Sequence, residues 1–156
     1  MDPVRVAIAL GSNLGDRERY LREALAELAF SIGDLRVSVF HETDPVGVGY
    51  QPRFLNAAAT GLTGLPARIL LDMLLDVERR FGRERPHPGA PRTLDLDLIL
   101  YGDRIIDEPE LNVPHPRFRD RRFVLEPLAE IAADWVDPVT GQTVGELLKQ
   151  VVAGSR

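Results

Sequence analysis

Two aspartates interrupt an apolar strand pattern, PRTLDLDLIL, at residues 91–100. Because side chains alternate between the two faces of a β-strand, Asp95 and Asp97 share one face. The leucines share the other face: Leu94, Leu96, Leu98 and Leu100. Burying an unpaired carboxylate costs several kcal/mol. The pattern therefore indicates either a half-buried strand with a wet polar face or two oxygen ligands for a hard cation.

Arginine-rich segments flank this strand on both sides. RRFGRER occupies residues 79–85, and HPRFRDRRF occupies residues 115–123. Arginine binds phosphate through two parallel hydrogen bonds, and carboxylates, Mg²⁺ and cationic side chains together form phosphoryl-transfer sites. Two carboxylates on one face could hold two ions about 3.5–4 Å apart. The plainer interpretation puts Arg79 and Arg80 on a solvated helix face and His115 in an ordinary loop.

The composition excludes several other chemistries. Cysteine is absent, which excludes thiolate nucleophiles and cysteine metal sites. The one lysine, Lys149, lies near the C-terminus, away from any phosphate-loop motif. A net charge of −5 argues against a general nucleic-acid partner. Apolar runs are too short to span a membrane, and the N-terminus lacks the basic region of a signal peptide. We expect a cytoplasmic protein, and a monomer.

The hydrophobic pattern predicts an α+β domain. Strands are expected at Val4–Leu10, around Val37–Val39, at Phe54–Thr63 and at 91–100, with helices after Asp16 and from Pro66. The second helix is expected to bury a stripe and to end at Gly82; the stripe comprises Ile69, Met73, Leu74, Val77 and Phe81. Gly- and Pro-rich loops are expected at 44–52 and 83–91. This β-α-β-β-α-β order predicts a ferredoxin-like sheet with helices on one face.

The C-terminal third carries weaker signals. Helical turns are expected near Leu125–Ala132 and Val144–Val152. We interpret residues 104–156 as a region appended to the same domain, so that residues 1–156 form a single unit.

Five motifs occur together in this chain. They are ALGSNLGD at 9–16, FLNAA at 54–58, ERRFGRER at 78–85, PRTLDLDLIL at 91–100 and VPHPR at 113–117. In this combination the sequence resembles the 6-hydroxymethyl-7,8-dihydropterin pyrophosphokinase family, almost from end to end. The resemblance implies a ferredoxin-like α+β fold. It also implies transfer of diphosphate from ATP to the pterin hydroxymethyl group in folate biosynthesis, with release of AMP.

The resemblance also implies roles for individual residues. Asp95 and Asp97 match the ligands of two Mg²⁺ ions, and Arg83 and Arg92 match catalytic arginines that contact phosphate. The implied ATP-binding residues are Glu78, Arg83, Arg92, Leu98, His115 and Arg121. The implied pterin-binding residues are Thr43, Val46, Phe54, Asn56 and Phe123. The chain departs from the family where many members carry a tryptophan, since Gly89 and Ala90 stand there.

Two other functions stay open from the residues alone. A small nucleotidyl-transfer or cyclase domain also places two carboxylates on such a sheet, but it needs a further acidic ligand on another strand, and the sequence shows no clear candidate. A non-catalytic module that binds a small ligand is the third possibility, although it gives no reason for arginines on both sides of a carboxylate pair.

Overall fold

The computed structural model describes residues 2–44, 53–81 and 93–154. It is an α+β structure with an antiparallel main sheet and four helices. The strands are β1 (Val4–Ser12), β2 (Gly33–Val37), β3 (His41–Thr43), β4 (Phe54–Thr63), β5 (Asp95–Tyr101), β6 (Ile106–Glu108) and β7 (Leu111–Val113). The helices are α1 (Arg17–Leu28), α2 (Ala67–Arg80), α3 (Arg122–Ala132) and α4 (Val144–Gly154). Within these residues, no helix combines the length and the apolar character that crossing a bilayer demands.

The main sheet has the strand order β2-β4-β1-β5, and every pairing in it is antiparallel. β3 pairs with the same side of β4 as β2, nearer the start of β4. A separate hairpin consists of β6 and β7. Strands β1 and β4 therefore lie in the interior of the sheet, while β5 lies at the end of this strand order.

The two faces of the sheet carry different cores. Leu21 and Leu28 of α1 and Leu74 of α2 pack with Val6 and Ile8 on one face. On the other face, α3 and α4 pack against small residues of the sheet; their buried side chains are Val124, Leu125, Leu128, Ala132, Val144 and Leu147. The predicted helical turns in the C-terminal third are confirmed as α3 and α4, and they cover the second face.

Most predicted elements are confirmed, including Phe54–Thr63 as a strand and Asp16 as the N-cap of α1, where its carboxylate accepts the Arg19 N–H at 3.2 Å. The strand expected around Val37–Val39 was misplaced, because β2 ends at Val37. The main-chain N–H of Ser38 donates to the Ala58 carbonyl of β4 at 2.9 Å, and the Ser38 hydroxyl accepts the Ala58 N–H at 2.9 Å. A side chain therefore replaces a main-chain acceptor there, and the regular ladder is interrupted.

Two details of the apolar pattern were also wrong. Ile69 is 49% exposed, and Leu70 is buried in its place, because Leu70, Leu74 and Val77 are the residues that face the core at helical spacing. Leu100 leaves the face of Leu98, because the register shifts next to Ala7 and Ile8 and turns Leu100 toward the α3 side. The helix end predicted at Gly82 lies outside the described residues.

Candidate active site

Four strands bring the predicted site residues into one row. Gly11 of β1 pairs with Asn56 of β4 on one side and with Asp95 of β5 on the other. His41 of β3 pairs with Asn56 from the outer side. Directly paired residues of neighbouring strands project from the same face of a sheet. Asn56 and Asp95 thus share a face, two strand spacings or about 10 Å apart.

The same alternation places the other residues of the site. Asp97 pairs with Ala9, and Phe54 pairs with Thr43, so both project from the face of Asn56 and Asp95. The sequence prediction that Asp95 and Asp97 share a face, opposite to Leu96 and Leu98, is confirmed. This is the face that α3 covers.

Gly11 lies in the sheet between the Asn56 amide and the Asp95 carboxylate, and we call its surface the floor of the site. A Cβ atom at this position would lie 3.1 Å from Asn56 Oδ1 and 3.8 Å from Phe54 Cδ1. With Ala9 and Ala58 beside it, the floor consists of small side chains. The GSNLGD motif, for which the sequence suggested no direct contact, therefore has a physical role in leaving room beside Asn56.

Asn56 is held in a fixed orientation. The residue is 5% exposed, and its Nδ2 donates to Thr43 Oγ1 at 2.6 Å. With the amide nitrogen engaged there, Oδ1 lies on the Gly11 side. Thr43 also lines a cavity of about 300 Å³ between β3 and α3, and Phe123 lines it from the helix. Thr43 and Phe123 thus border one space, and Asn56 is joined to its wall through the hydrogen bond to Thr43.

The carboxylates of Asp95 and Asp97 fit a hard divalent ion. Both residues are half-buried at the start of β5, with Cα atoms about 6.7 Å apart. No cluster of three or more acidic, histidine or cysteine ligands occurs in the described parts of the chain. Mg²⁺ commonly takes one or two protein carboxylates and completes its shell with water and substrate phosphate. The donor set therefore matches Mg²⁺ delivered with a nucleotide.

His115 lies beside this carboxylate pair. Its main-chain N–H donates to the Ile99 carbonyl of β5 at 2.9 Å. Burial, as the largest cause, and the positive charges of Arg121 and Arg117 together lower the pKa of its imidazole to about 4, while the negative charge of Asp95 acts in the opposite direction. Nδ1 accepts the Arg117 N–H at 3.2 Å. The ring is therefore neutral at pH 7 and presents Nε2 as a hydrogen-bond donor.

Arg121 precedes the first residue of α3 and connects the two groups of site residues. Its guanidinium carbon lies 5.6 Å from the centre of the Phe123 ring. The charge of Arg121 also acts on His115. One arginine thus lies between the aromatic wall of the cavity and the histidine next to Asp95, where it could contact an anionic ligand.

The structure places two of the predicted ATP-binding residues elsewhere. The Leu98 side chain is 4% exposed within the core formed with α1 and α2, and Glu78 is 2% exposed near the end of α2. Glu78 Oε2 accepts the Leu96 N–H at 2.6 Å. Since Leu96 lies between Asp95 and Asp97, Glu78 supports the segment that carries both carboxylates. No pattern in the sequence indicated this contact.

Three predicted site residues lie outside the described residues, namely Val46, Arg83 and Arg92. The same holds for nearly all of the two loops expected at 44–52 and 83–91, including Gly89 and Ala90. Their roles stay predictions from the resemblance. In the part of the chain that the structure describes, eight predicted site residues lie on or beside one face of the sheet. They are Thr43, Phe54, Asn56, Asp95, Asp97, His115, Arg121 and Phe123.

Comparison with known proteins shows what this chain is similar to. The family model described as 7,8-dihydro-6-hydroxymethylpterin-pyrophosphokinase matches residues 7–133. A Synechocystis protein named 2-amino-4-hydroxy-6-hydroxymethyldihydropteridine pyrophosphokinase is 44% identical over 146 residues, which cover 92% of this chain and 74% of that protein. The Bacillus subtilis protein of the same name is 48% identical over 126 residues, 80% of this chain and 75% of its own length.

The fold has solved relatives as well. The HPPK-DHPS crystal structure from Plasmodium falciparum superimposes on 97% of this chain with a TM-score of 0.78, at 13% sequence identity. This chain spans 45% of that longer protein, so the likeness concerns the fold of one part of it. The family resemblance inferred from the motifs is confirmed, and the chain belongs to the 7,8-dihydro-6-hydroxymethylpterin-pyrophosphokinase family.

Proposed function

We propose that this protein transfers diphosphate from ATP to the hydroxymethyl group of 6-hydroxymethyl-7,8-dihydropterin, in a Mg²⁺-dependent step of folate biosynthesis. The observation that carries the proposal is the row Asn56–Gly11–Asp95 across three strands. It places an amide suited to reading a pterin edge about 10 Å from a carboxylate pair suited to Mg²⁺. Family membership supports pyrophosphokinase activity in folate biosynthesis.

The pterin would lie over Gly11. Asn56 would read its amide edge, with Thr43 holding the orientation of the Asn56 side chain. Phe54 and Phe123 would contact the flat ring from the sheet and from α3, an arrangement that favours a planar aromatic ligand. Val46 would contribute to pterin binding, as the resemblance implies.

The nucleotide would lie along the start of β5 and of α3. Arg121 and neutral His115 would donate to phosphate or ribose oxygens, and Arg83 and Arg92 would hold the phosphate tail. Glu78 would act through the backbone of Leu96. Leu98, whose side chain is in the core, would contact nucleotide through its main chain. Asp95 and Asp97 would hold two Mg²⁺ ions, whose positive charge would offset the negative charge of the phosphates.

The bond that breaks distinguishes this reaction from that of an ordinary kinase. The pterin hydroxyl oxygen would form a bond to the β-phosphorus of ATP. The bond from that phosphorus to the oxygen shared with the α-phosphate would break, and AMP would leave with the electron pair. The hydroxyl proton would pass to solvent. Catalysis would come from positioning and electrostatic stabilisation, because none of the described side chains is an evident general base.

The alternative of a nucleotidyl-transfer or cyclase domain is less well supported. Such a site needs a further acidic ligand on a strand next to the carboxylate pair. The residues of β1 and β4 that project from this face beside Asp95 and Asp97 are Ala9, Gly11, Asn56 and Ala58. None of them is acidic. A binding module without catalysis would not require the Asp95–Asp97 pair.

Several finer features belong to the same proposal. We interpret the strand order β2-β4-β1-β5 as that of a ferredoxin-like sheet, with the residues after β5 as an appended region. Residues 1–156 would form one domain, and the protein would act as a cytoplasmic monomer without nucleic-acid or membrane partners.

The decisive experiment is chromatography of the nucleotide products with ATP, Mg²⁺ and 6-hydroxymethyl-7,8-dihydropterin. AMP is expected in step with pterin diphosphate, and only when the pterin is present. ADP as the main product would indicate a simple kinase or ATPase. Pterin binding without any pterin-dependent turnover would indicate a binding module.

A further inference from the structure

The edge of the sheet next to β4 has a one-residue irregularity. Val37 pairs with Ala59, and His41 pairs with Asn56, so four residues of the edge strand span three of β4. The extra residue interrupts the ladder, as in a β-bulge. Bulges are common beside active sites because they redirect the side chains that follow them. Here the residues that follow are His41 and Thr43.

A glutamate from α3 forms hydrogen bonds with two residues of this irregular segment. Glu130 Oε1 accepts the main-chain N–H of Val39 at 3.0 Å, so the helix supplies a partner to an N–H within the interrupted segment. The other oxygen, Oε2, forms a short hydrogen bond with His41 Nε2. Both side chains are largely covered, with 32% of Glu130 and 24% of His41 exposed. We call these three residues, Val39, His41 and Glu130, the Glu130 clasp.

The clasp joins the two walls of the cavity beside Asn56. His41 and Thr43 line this cavity from β3, and Phe123 lines it from α3. Phe123 precedes Glu130 by seven residues, or about two helical turns, so both lie on the same side of α3. Thr43 follows His41 by two residues and projects from the same face of the strand. The clasp therefore links the strand that carries Thr43 to the helix that carries Phe123.

We propose that Glu130 and His41 are positioning residues that fix the width of the pocket between β3 and α3, and thereby its affinity for a flat pterin ring. The inference rests on the proposed function for the identity of the ring. Neither residue needs to contact the substrate. A flat ring held between two walls gains dispersion energy only at a narrow range of separations, and a gap of 0.5–1 Å forfeits about a quarter to a half of it.

The test compares Glu130→Ala, Glu130→Gln and His41→Ala in steady-state kinetics, with each substrate varied at saturating amounts of the other. Glu130→Ala is expected to raise KM for the pterin about 10-fold, since two hydrogen bonds to the charged carboxylate are lost. KM for ATP is expected to rise less than KM for the pterin, because Asp95, Asp97 and His115 lie at or beside β5 and take no part in the clasp. His41→Ala should act in the same direction.

Glu130→Gln separates positioning from charge. A glutamine amide can still accept the Val39 N–H with its oxygen and donate to a neutral imidazole nitrogen with its NH₂ group. This variant is expected to keep KM for the pterin within about threefold of the wild-type value. The double variant Glu130→Ala with His41→Ala is expected to be no worse than Glu130→Ala alone, because both changes break one interaction.

Glu27→Ala is the matched control. Glu27 is 36% exposed and joins α1 to α2 through Arg80 at 3.2 Å, on the opposite face of the sheet. It has similar exposure and a similar side-chain contact over a long sequence separation, but no connection to the cavity. Its pterin KM should equal that of the wild-type protein. Thermal unfolding of all variants shows whether each is folded, and His41→Ala tests the inference even if Glu130→Ala does not fold.

Three results would overturn the inference. The first is that the folded variants have the same pterin KM as Glu27→Ala. The second is that KM rises equally for the pterin and for ATP. The third is that Glu130→Gln raises the pterin KM as much as Glu130→Ala does. Wild-type turnover tests the proposed function separately. If the wild-type protein makes no pterin diphosphate, that function fails, and a pterin-binding titration of the same variants still decides whether the clasp sets the pocket.

Discussion

Gly11→Ala tests whether the floor of the site is a binding surface. The added Cβ would lie 3.1 Å from Asn56 Oδ1, which is tighter than an ordinary contact, so the amide would have to move by a few tenths of an ångström. Thr43 restrains it on the other side through a 2.6 Å hydrogen bond. The methyl group therefore either breaks this bond or misaligns the amide. We expect weaker pterin binding in a protein that still folds.

The magnitude follows from what the amide loses. A misaligned hydrogen-bonding group in a largely buried position costs about 1–3 kcal/mol, which corresponds to about 5- to 150-fold in the dissociation constant. The assay is titration of the pterin into the protein with a non-hydrolysable ATP analogue and Mg²⁺. Thermal unfolding, measured in parallel, should show a cooperative transition and so confirm that the variant is folded.

Two comparisons make the reasoning refutable. Gly64→Ala is the control, because a Cβ at Gly64 meets no atom within 4 Å. Adding Gly11→Ala to an Asn56→Ala background should cause little further loss of pterin affinity, since the amide that the added methyl group would displace is absent. If Gly11→Ala binds pterin as tightly as Gly64→Ala, or weakens binding equally in the Asn56→Ala background, the floor does not act through Asn56.

Three further changes test other parts of the site. Asp97→Ala and Asp95→Ala should each abolish turnover while the chain stays folded by circular dichroism; near-normal activity at saturating Mg²⁺ would exclude a two-metal site. Glu78→Ala should lower the free energy of unfolding in urea by about 1–3 kcal/mol, because the Leu96 N–H loses its acceptor, and Glu78→Gln should lower it less. The pKa of His115 is about 4 in the folded protein and 6.5 as its ordinary value, so the unfolded chain binds more protons between these limits. The contribution of His115 to the free energy of unfolding should therefore be fully present above pH 6.5 and be lost as the pH falls toward 4. In unfolding measurements without Mg²⁺, His115→Asn should reduce this loss of free energy by about 1–2 kcal/mol, after allowance for solvent screening of a partly exposed ring. Equal pH dependence of the two unfolding curves would show that His115 is not the group responsible.

The sequence predicted well that Asp95 and Asp97 share a face, because this depends only on local strand geometry. Alternation along a strand puts Asp95 and Asp97 on one face whatever surrounds them. The helix that covers this face could not be predicted in the same way. The apolar stripe of α3 predicts that it packs somewhere, but not that it packs over Ala7 and Ala58 rather than on the face of α1. That choice depends on the tertiary arrangement of the whole chain.

The interrupted edge strand shows a second limit. Local pattern predicted a strand through Val39, but Val39 is 66% exposed and its N–H bonds to Glu130, a residue 91 positions away. Likewise, the sequence contained Glu78 and Leu96 without indicating that one accepts a hydrogen bond from the other. Contacts between side chains and backbone over such separations leave no periodic signal.

One signal that predicts the site face is present in the sequence, in the sizes of the side chains along β1. Val6, Ile8 and Leu10 alternate with Ala7, Ala9 and Gly11. The large side chains fill the core with α1 and α2, and the small ones face α3. Small residues let α3 approach the sheet closely over Ala7. Nearer the start of α3, the absence of a side chain at Gly11 leaves space above the sheet beside Asn56. A single alternation of size along one strand therefore serves both packing and recognition, and β1 can be interior to the sheet while one of its faces remains available to a ligand.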